Sequence, residues 1–200
     1  MEKKYRLLEN DTKKVNGKTL YRIESLRDFA GVKKGDKGGY IESDDNLSHI
    51  GACWVSDYAR VSGDAQVFGN AWIFGNAEIF GNARVSDNAE IYGNARVFGN
   101  ARVFGYAEVY GYAEVCGDVE VRSTRDYVVL KNIWSSGRYF TYTRSNKMWK
   151  VGCFYGTGEE LIAKAYRDSE VSGREYKRVV EYVEAMYADL ENDERQEAKK

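Results

Sequence analysis

His49 is the single histidine of the chain and the side chain best suited to proton transfer near neutral pH. Asp44 and Asp45 precede it closely, and a carboxylate that orients an imidazole is a common arrangement for a general base. The alternative is a half-buried histidine without a chemical role, at the start of the repeat region described below. We favour that alternative, so we predict no catalytic residue and keep His49 as the one candidate.

A second candidate for chemistry is the segment Ser135, Ser136, Gly137 and Arg138. Backbone N–H groups, hydroxyls and a guanidinium at a glycine-containing turn can bind an anion such as a phosphate. The alternative is an ordinary hairpin turn that carries a surface arginine. This segment is our candidate ligand- or anion-binding site.

The other reactive residues form no recognisable motif. Cys53, Cys116 and Cys153 lack the C-x-x-C spacing of metal and redox sites, and no histidine lies near Cys153 in the sequence. The sequence also has no phosphate-binding loop, dinucleotide fingerprint or metal motif. We predict a protein with no metal and no cofactor that is not an enzyme.

The elements that must position these residues are dominated by a six-residue repeat. From Val55 to Glu120 there are eleven consecutive hexads, with Val or Ile at the first position and Ala, or once Val, at the fifth. Side chains alternate across a strand, so these two positions point inward while the second and sixth point outward. The third and fourth positions, mostly Gly-Asn, tolerate positive φ. Each hexad therefore predicts one short strand and one corner.

The hexad pattern resembles the left-handed parallel β-helix of bacterial hexapeptide-repeat proteins. In that family an aliphatic residue is followed four places later by a small one, as Val97 is by Ala101. The resemblance implies left-handed coils of three hexads, and the length of the repeat region then gives about four coils. Many family members are acyltransferases that use an acyl-CoA donor and a histidine base, which implies an alternative role for His49.

A coil of three hexads makes a prediction about surface columns, because residues one coil apart would stack at the strand spacing of about 4.8 Å. One column would contain Arg60, Glu78, Arg96 and Glu114, whose charges alternate in sign. Opposite charges on neighbouring strands stabilise the pairing. The alternation supports three hexads per coil independently of the resemblance.

Aromatic side chains occupy many outward positions of the repeat. Stacked outward rings can stabilise the sheet itself, or they can form an apolar surface that another subunit, the C-terminal region or a partner covers. We prefer docking of the C-terminal region near the last coils and predict a protein interface. The predicted interface residues are Phe74, Tyr92, Tyr110, Phe80, Phe98, Phe104, Tyr106 and Tyr112.

The repeat is flanked by two different regions. Residues 1–42 are predicted to form an N-terminal β cap with a hairpin turn at Asn16-Gly17, and residues 43–122 the β-helix. Residues 123–190 predict a β-β-β-α-α module, with a third strand over Lys147–Phe154, and residues 191–200 a charged tail. Capping boxes predict helices that open at Thr157 and Ser172, the second ending near Leu190.

Composition excludes several functional classes. The net charge is −1, so there is no overall basic field to attract nucleic acid. The sequence has no apolar run long enough for a membrane span and no signal-peptide core at its start. Three cysteines with no sign of secretion favour reduced thiols. We expect a soluble, cytoplasmic protein.

The whole layout looks like that of proteins encoded by bacterial phages and prophages, most clearly in the segments YRLLENDTKKVNGKTLYRIESLRDF and GCFYGTGEEL. The resemblance implies action in the bacterial host cytoplasm. We expect a non-enzymatic binding or scaffold protein that self-associates. One such role is a counter-defence inhibitor that binds a host immune protein or sequesters a nucleotide signal. The alternatives are an acyltransferase and a structural homo-oligomeric assembly protein.

Overall fold

The structure is a computed structural model that describes residues 2–134 and 136–199. Within these residues the chain is mainly β, with two α-helices after residue 157. The strands are β1 (Tyr5–Val15), β2 (Lys18–Ser25), β3 (Lys37–Ile41), β4 (Trp54–Val55), β5 (Arg60–Val61), β6 (Gln66–Val67), β7 (Trp72–Ile73), β8 (Glu78–Ile79), β9 (Arg84–Val85), β10 (Glu90–Ile91), β11 (Arg96–Phe98), β12 (Arg102–Val103), β13 (Glu108–Val109), β14 (Glu114–Cys116), β15 (Glu120–Val121), β16 (Tyr127–Lys131), β17 (Tyr139–Thr143), β18 (Met148–Val151) and β19 (Phe154–Gly156).

The repeat region winds into a solenoid with three parallel sheets. Residues 18 positions apart pair in register, as Arg60 does with Glu78 and Glu90 does with Glu108. We name the sheets by the charges that they carry outward. The ladder face contains β5, β8, β11 and β14, the acidic face β4, β7, β10 and β13, and the basic face β6, β9, β12 and β15.

The interior of the solenoid is built from the first and fifth positions of the hexads. Val61, Ala65 and Ile79 are at most 1% exposed, and the equivalent residues of the other hexads are also buried. A strand of two residues buries too little apolar surface to be stable alone, so each coil depends on its neighbours. The predicted inward pattern is confirmed.

Glycine corners allow the coils to approach each other closely. Gly81 has φ +70°, and a Cβ built on it would lie 3.0 Å from the backbone nitrogen of Gly99 in the next coil. A side chain at this position would meet both a left-handed backbone and a backbone atom of the adjacent coil. Asp57 and Asp87 take the same place in two hexads, with φ +54° and +57°, and the Asp87 carboxylate accepts a hydrogen bond from the Gly105 N–H at 3.0 Å.

An antiparallel hairpin continues the ladder sheet beyond the first coil. Strands β1 and β2 pair around Asn16 and Gly17, which have φ values of +50° and +80°, and β2 pairs with β3. Tyr5 and Phe29 pack against Trp54, with ring centroids 6.4 and 5.4 Å away. The predicted hairpin turn is confirmed, and these rings cover the apolar start of the solenoid.

The solenoid has about five coils, so the prediction of about four is too low. Five strands, from β3 to β14, follow each other in parallel along the ladder sheet. Ile41 pairs with Val61, and Leu47 forms a bridge with Val67. The parallel ladder sheet therefore begins at β3, before residue 43, where the β-helix was predicted to start.

Residues from Val128 onward form a second compact unit. Its four-stranded sheet has the order β16-β17-β18-β19, and its helices are α1 (Gly158–Asp168) and α2 (Glu170–Glu197). Its buried core consists of Phe140, Tyr142, Trp149, Val151, Leu161, Val180, Val183 and Tyr187. Neither helix among the described residues combines the length and the apolar character that crossing a membrane requires.

Two predictions for this unit are wrong. The single strand over Lys147–Phe154 is two strands, because the chain turns at Gly152 with φ +56°. The second helix is capped by Ser169, whose hydroxyl accepts from the Ser172 N–H at 3.1 Å, and it continues to Glu197. The first helix has the predicted capping box between Thr157 and Glu160.

The length of α2 has an electrostatic explanation. The charged residues after Leu190, predicted to be a tail beyond the helix, carry ion pairs within the helix, such as Arg195 with Glu191 at 3.6 Å. Arg144 also binds the Glu194 carboxylate with both terminal nitrogens. Such pairs each stabilise a helix by a few tenths of a kcal/mol. Composition alone does not show that they form.

Close stacking of the corners predicts unequal effects of two matched glycine substitutions. Gly81→Ala should lower the free energy of unfolding by about 2–4 kcal/mol, because a left-handed backbone and a clash with Gly99 add together. Gly111 has the same φ, +69°, but has open space where its Cβ would lie. Gly111→Ala should cost about 1–2 kcal/mol. Urea unfolding followed by circular dichroism measures both, and equal losses would contradict close stacking at Gly81.

Candidate functional site

The ladder face carries a column of alternating charges. Arg60 is ion-paired with Glu78, Glu78 with Arg96 at 3.6 Å, and Arg96 with Glu114 at 3.0 Å. All four side chains are partly exposed, so each pair contributes only a fraction of a kcal/mol, although a continuous network fixes the geometry better than isolated pairs do. The predicted column is confirmed, and its charges are neutralised along the face.

Aromatic rings stack beside this charge column. Phe80 and Phe98 have centroids 4.7 Å apart and planes only 4° from parallel. The Arg96 guanidinium lies 5.3 Å from the first ring centroid and 5.5 Å from the second, within cation–π range. Two of the predicted interface residues therefore have a fixed position, with their outer edges open to solvent.

A groove runs between the tip of the N-terminal hairpin and the ladder face, and we call it the hairpin groove. Its volume is about 350 Å³. The hairpin contributes Val15, Lys18 and Leu20, and the solenoid contributes Arg60, Phe80 and Arg96. The groove combines an apolar wall, one aromatic ring, three cationic side chains and the carboxylates of Asp64 and Glu78. An apolar lining with a few charged groups is typical of sites for small ligands.

Polar contacts hold the hairpin at this position. The Lys18 ammonium is 2.8 Å from the Glu42 carboxylate, which also accepts a hydrogen bond from the Gly63 N–H at 2.6 Å. These two donors lower the pKa of Glu42, with Lys18 the larger cause. Glu42 therefore links the hairpin to a solenoid corner.

The acidic face carries the longest aromatic column. Phe74 stacks on Tyr92 with centroids 4.8 Å apart, and Tyr92 stacks on Tyr110 with centroids 5.2 Å apart. The Tyr92 hydroxyl donates to the Glu108 carboxylate at 3.1 Å. Burial, followed by this hydrogen bond, raises the pKa of Tyr92. Glu90 lies next to Glu108 in the same sheet.

The basic face carries arginines and one ring of the predicted interface. Glu120 lies 2.8 Å from both Arg102 and Arg122, and both guanidiniums lie over the Phe104 ring, at 5.7 and 5.0 Å. Arg84 pairs in register with Arg102. The three faces therefore differ in charge: one is neutralised, one is acidic and one is basic.

The corner tyrosines Tyr106 and Tyr112 complete the set of predicted interface residues. They are 80% and 50% exposed. Tyr106 follows the basic face, and Tyr112 follows the acidic face. Both rings are open to solvent in the monomer.

The surroundings of His49 do not suit a general base. The Lys4 N–H donates to His49 Nδ1 at 3.2 Å, and the imidazole stacks on Tyr5 with centroids 4.3 Å apart. In the neutral ring this arrangement places the proton on Nε2, which lies 3.9 Å from the Asp44 carboxylate. The nitrogen that could accept a proton is therefore already used. Burial lowers the pKa of His49 more than Asp44 raises it.

A buried lysine next to His49 is a feature that the sequence does not predict. Lys4 is completely buried, and its ammonium donates to the Cys53 carbonyl at 2.7 Å and contacts Cys53 Sγ at 3.2 Å. Burial lowers the pKa of Lys4 and raises that of the Cys53 thiol. The pair lies under the hairpin, where it links the N-terminal strand to the first coil. In the sequence, only the position of Lys4 next to the first predicted strand indicates that Lys4 links the strand to the coil.

The predicted anion site is only partly visible, because Ser135 lies outside the described residues. Ser136 Oγ accepts from the Arg138 N–H and from the Asn132 side chain, both at 3.4 Å. The Arg138 side chain lies beside Gly152. Ser136, Gly137 and Arg138 therefore lie together in a turn, with the Ser136 hydroxyl directed at its own backbone. Within residues 2–134 and 136–199, no His, Cys, Asp or Glu residues cluster as metal ligands would.

A protein-family model matches the chain inside the solenoid. The family described as "YdcK Beta solenoid repeat" matches residues 89–105 and 95–111. This chain is a β-solenoid repeat protein. The matched segments begin six residues apart and cover parts of the acidic, ladder and basic faces. A comparison with curated proteins finds no match.

The lowered pKa of His49 predicts a pH dependence of stability for this β-solenoid. The unfolded chain binds a proton near pH 6.5, whereas the folded chain does not until the pH falls further. The unfolded state therefore binds more protons in this window, and stability should fall as the pH drops below 6.5. His49→Asn keeps an acceptor for the Lys4 N–H and does not titrate.

Urea unfolding of both proteins between pH 5 and pH 8 measures the difference in unfolding free energy. We expect wild type to lose stability relative to His49→Asn as the solution becomes more acidic. A difference that stays constant, or that changes in favour of wild type at low pH, would show that the histidine is not buried as described.

Proposed function

We propose that this protein is a non-enzymatic binding scaffold that acts in the cytoplasm of a bacterial host, as the resemblance to phage-encoded proteins implies. We also propose that its solenoid is a left-handed hexapeptide β-helix with three hexads per coil. The observation that carries the functional proposal is the hairpin groove, which is partly apolar and is lined by three cationic and two acidic side chains.

Rigidity supports a binding role. Phe80 is packed against Phe98, and Arg60 and Arg96 are held by Glu78, so the groove side chains have little freedom left to lose. Because ordering of side chains opposes association, a surface that is already ordered binds with a smaller entropic cost. A repeat scaffold with short corners and no inserted loop provides such a surface.

The lining of the hairpin groove favours a nucleotide over an uncharged ligand. The Phe80 ring offers a stacking surface for a base, and Lys18, Arg60 and Arg96 offer positive charge for phosphate oxygens, beside the carboxylates of Asp64 and Glu78. The groove volume of about 350 Å³ lies near the lower limit of the volumes usual for small-molecule sites. Sequestration of a nucleotide signal is therefore the form of counter-defence that this groove supports best.

A host immune protein is the second candidate partner, favoured by the exposed corner tyrosines. Tyr106 and Tyr112 are large, partly apolar and accessible. Tyrosine is enriched in protein interfaces because its ring offers contact area and its hydroxyl a hydrogen bond. Substitution of both by serine should weaken binding of a protein partner and leave nucleotide binding in the groove unchanged.

The acyltransferase alternative depends on His49, whose Nδ1 already accepts a hydrogen bond from the Lys4 amide. A base in this environment would have to break that bond and charge a half-buried ring. Addition of CoA to the purified protein, followed by thermal unfolding, separates the two proposals. A rise in melting temperature that depends on CoA, with turnover that His49→Asn abolishes, would favour the enzyme.

Two matched phenylalanine substitutions test the groove. Phe80→Ala should weaken nucleotide binding by about 10-fold or more, because stacking on an aromatic ring contributes about 1–3 kcal/mol per base. Phe74→Ala removes an equally stacked ring from the acidic face, outside the groove, and should leave affinity unchanged. Isothermal titration with linear and cyclic mono- and dinucleotides measures both.

The two variants also distinguish a specific site from general adhesion. If no nucleotide binds at millimolar concentration, or if both substitutions weaken binding equally, the groove is not a nucleotide site. Circular dichroism of both variants confirms that loss of a stacked ring has not unfolded the solenoid.

A further inference from the structure

Two of the solenoid faces carry like charges next to each other. Arg84 pairs in register with Arg102 on the basic face, and Glu90 pairs in register with Glu108 on the acidic face. Like charges directly opposite each other on neighbouring strands destabilise a sheet, and the ladder face avoids this by alternation. This repulsion destabilises the sheet within one chain, and opposite charges from a second chain can offset it.

The free chain compensates these charges only in part. Among the described residues, Arg84 and Glu90 take part in no ion pair. Arg102 shares Glu120 with Arg122, and Glu108 accepts a hydrogen bond from the neutral Tyr92 hydroxyl. The basic face therefore has an excess of positive charge, and the acidic face has uncompensated negative charge.

The two columns match each other in spacing. Arg84 and Arg102 are one coil apart, as are Glu90 and Glu108, so both pairs are separated by the strand spacing of about 4.8 Å. Each glutamate also follows its arginine by six residues, which places it on the next face at nearly the same height. The axial offset is a third of a coil, about 1.6 Å, which an arginine side chain spans easily.

The ring column strengthens the match. Tyr92 and Tyr110 lie on the acidic face beside Glu90 and Glu108, so an arginine that approaches this face meets a carboxylate and an aromatic ring together. Arginine stacks well on aromatic faces and binds carboxylates with two nitrogens. The basic face already shows this preference, because Arg102 lies over its own Phe104 ring.

We propose that the basic face of one copy of this chain binds the acidic face of a second copy, side by side, with Arg84 and Arg102 against the glutamates and tyrosines of the partner. The two surfaces are different, so the contact is heterologous and repeats from copy to copy, either closing a ring or extending as a filament. The ladder face takes no part, so the hairpin groove stays accessible in the assembly.

Charge reversal gives a direct test, with light scattering after size-exclusion chromatography at low and high salt. Wild type should be oligomeric at low salt and dissociate as the salt concentration rises. Glu90→Arg with Glu108→Arg makes both faces basic, and Arg84→Glu with Arg102→Glu makes both faces acidic. Each double variant should be monomeric, with association weakened by about 100-fold or more, since close interfacial charge pairs couple strongly.

Mixing the two double variants restores complementary faces. The unchanged basic face of the first variant can bind the unchanged acidic face of the second, so an equimolar mixture should form oligomers that contain both. This mixture also shows that each variant is folded. As a control, reversal of Glu159 and Glu170, which lie exposed on the helices, should leave the oligomer intact.

The proposal fails in either of two cases. Wild type that stays monomeric at low salt and high concentration would show that another molecule, or only solvent, covers these faces. Oligomers that persist in both double variants would place the contact elsewhere. Nucleotide titration of the monomeric variants tests the hairpin groove separately, so the two proposals can fail independently.

Discussion

The structure depends on the in-register stacking of one coil on the next. Strands of two or three residues have no independent stability, so every hexad gains its burial and its hydrogen bonds from the neighbouring coils. The backbone bonds run from coil to coil, as from the Arg60 N–H to the Ala77 carbonyl at 2.9 Å. Insertion of a single residue would exchange inward and outward side chains in the strands that follow.

The same stacking determines the surface. Each outward side chain lies beside its equivalent in the next coil, so a face consists of columns of side chains. The residue types in a column can be read from the sequence at fixed intervals. Rings stack on rings, asparagines bond asparagines, as Asn82 does with Asn100, and charges either alternate or repeat. Charges that alternate in sign give the neutral ladder face, which forms one wall of the groove. Charges that repeat in sign give the basic and acidic faces, which a partner of opposite charge would stabilise. Both proposals therefore follow from the coil register.

The sequence is most informative where it is periodic. Inward positions, glycine corners and the Arg60–Glu114 column follow from alternation and spacing, because one local rule acts identically in every coil. It is least informative where a contact joins distant segments. Burial of Lys4 against Cys53, and the groove between the hairpin and Phe80, depend on how far the hairpin reaches over the solenoid. No local pattern carries that information.

The second unit shows how local signals compete. Ser172 and Glu175 have capping-box spacing, but Ser169 caps the helix because α1 ends immediately before it. Gly152 divides a segment that otherwise alternates like one strand. Trp149 is a fully buried core residue whose indole N–H donates to Glu184, a contact between distant segments that no local pattern predicts.

Disulfide trapping of corner residues measures the coil register most directly. In a chain with Cys153→Ser, the pair Asn82→Cys and Asn100→Cys places thiols one coil apart, where Cα atoms about 4.8 Å from each other satisfy disulfide geometry. Mild oxidation should cross-link this pair fully, as mass spectrometry of the peptides would show. The pair Asn82→Cys and Asn94→Cys, on different corners, should stay reduced. Cross-linking of the second pair, or failure of the first, would contradict the register on which the faces, the groove and the assembly depend.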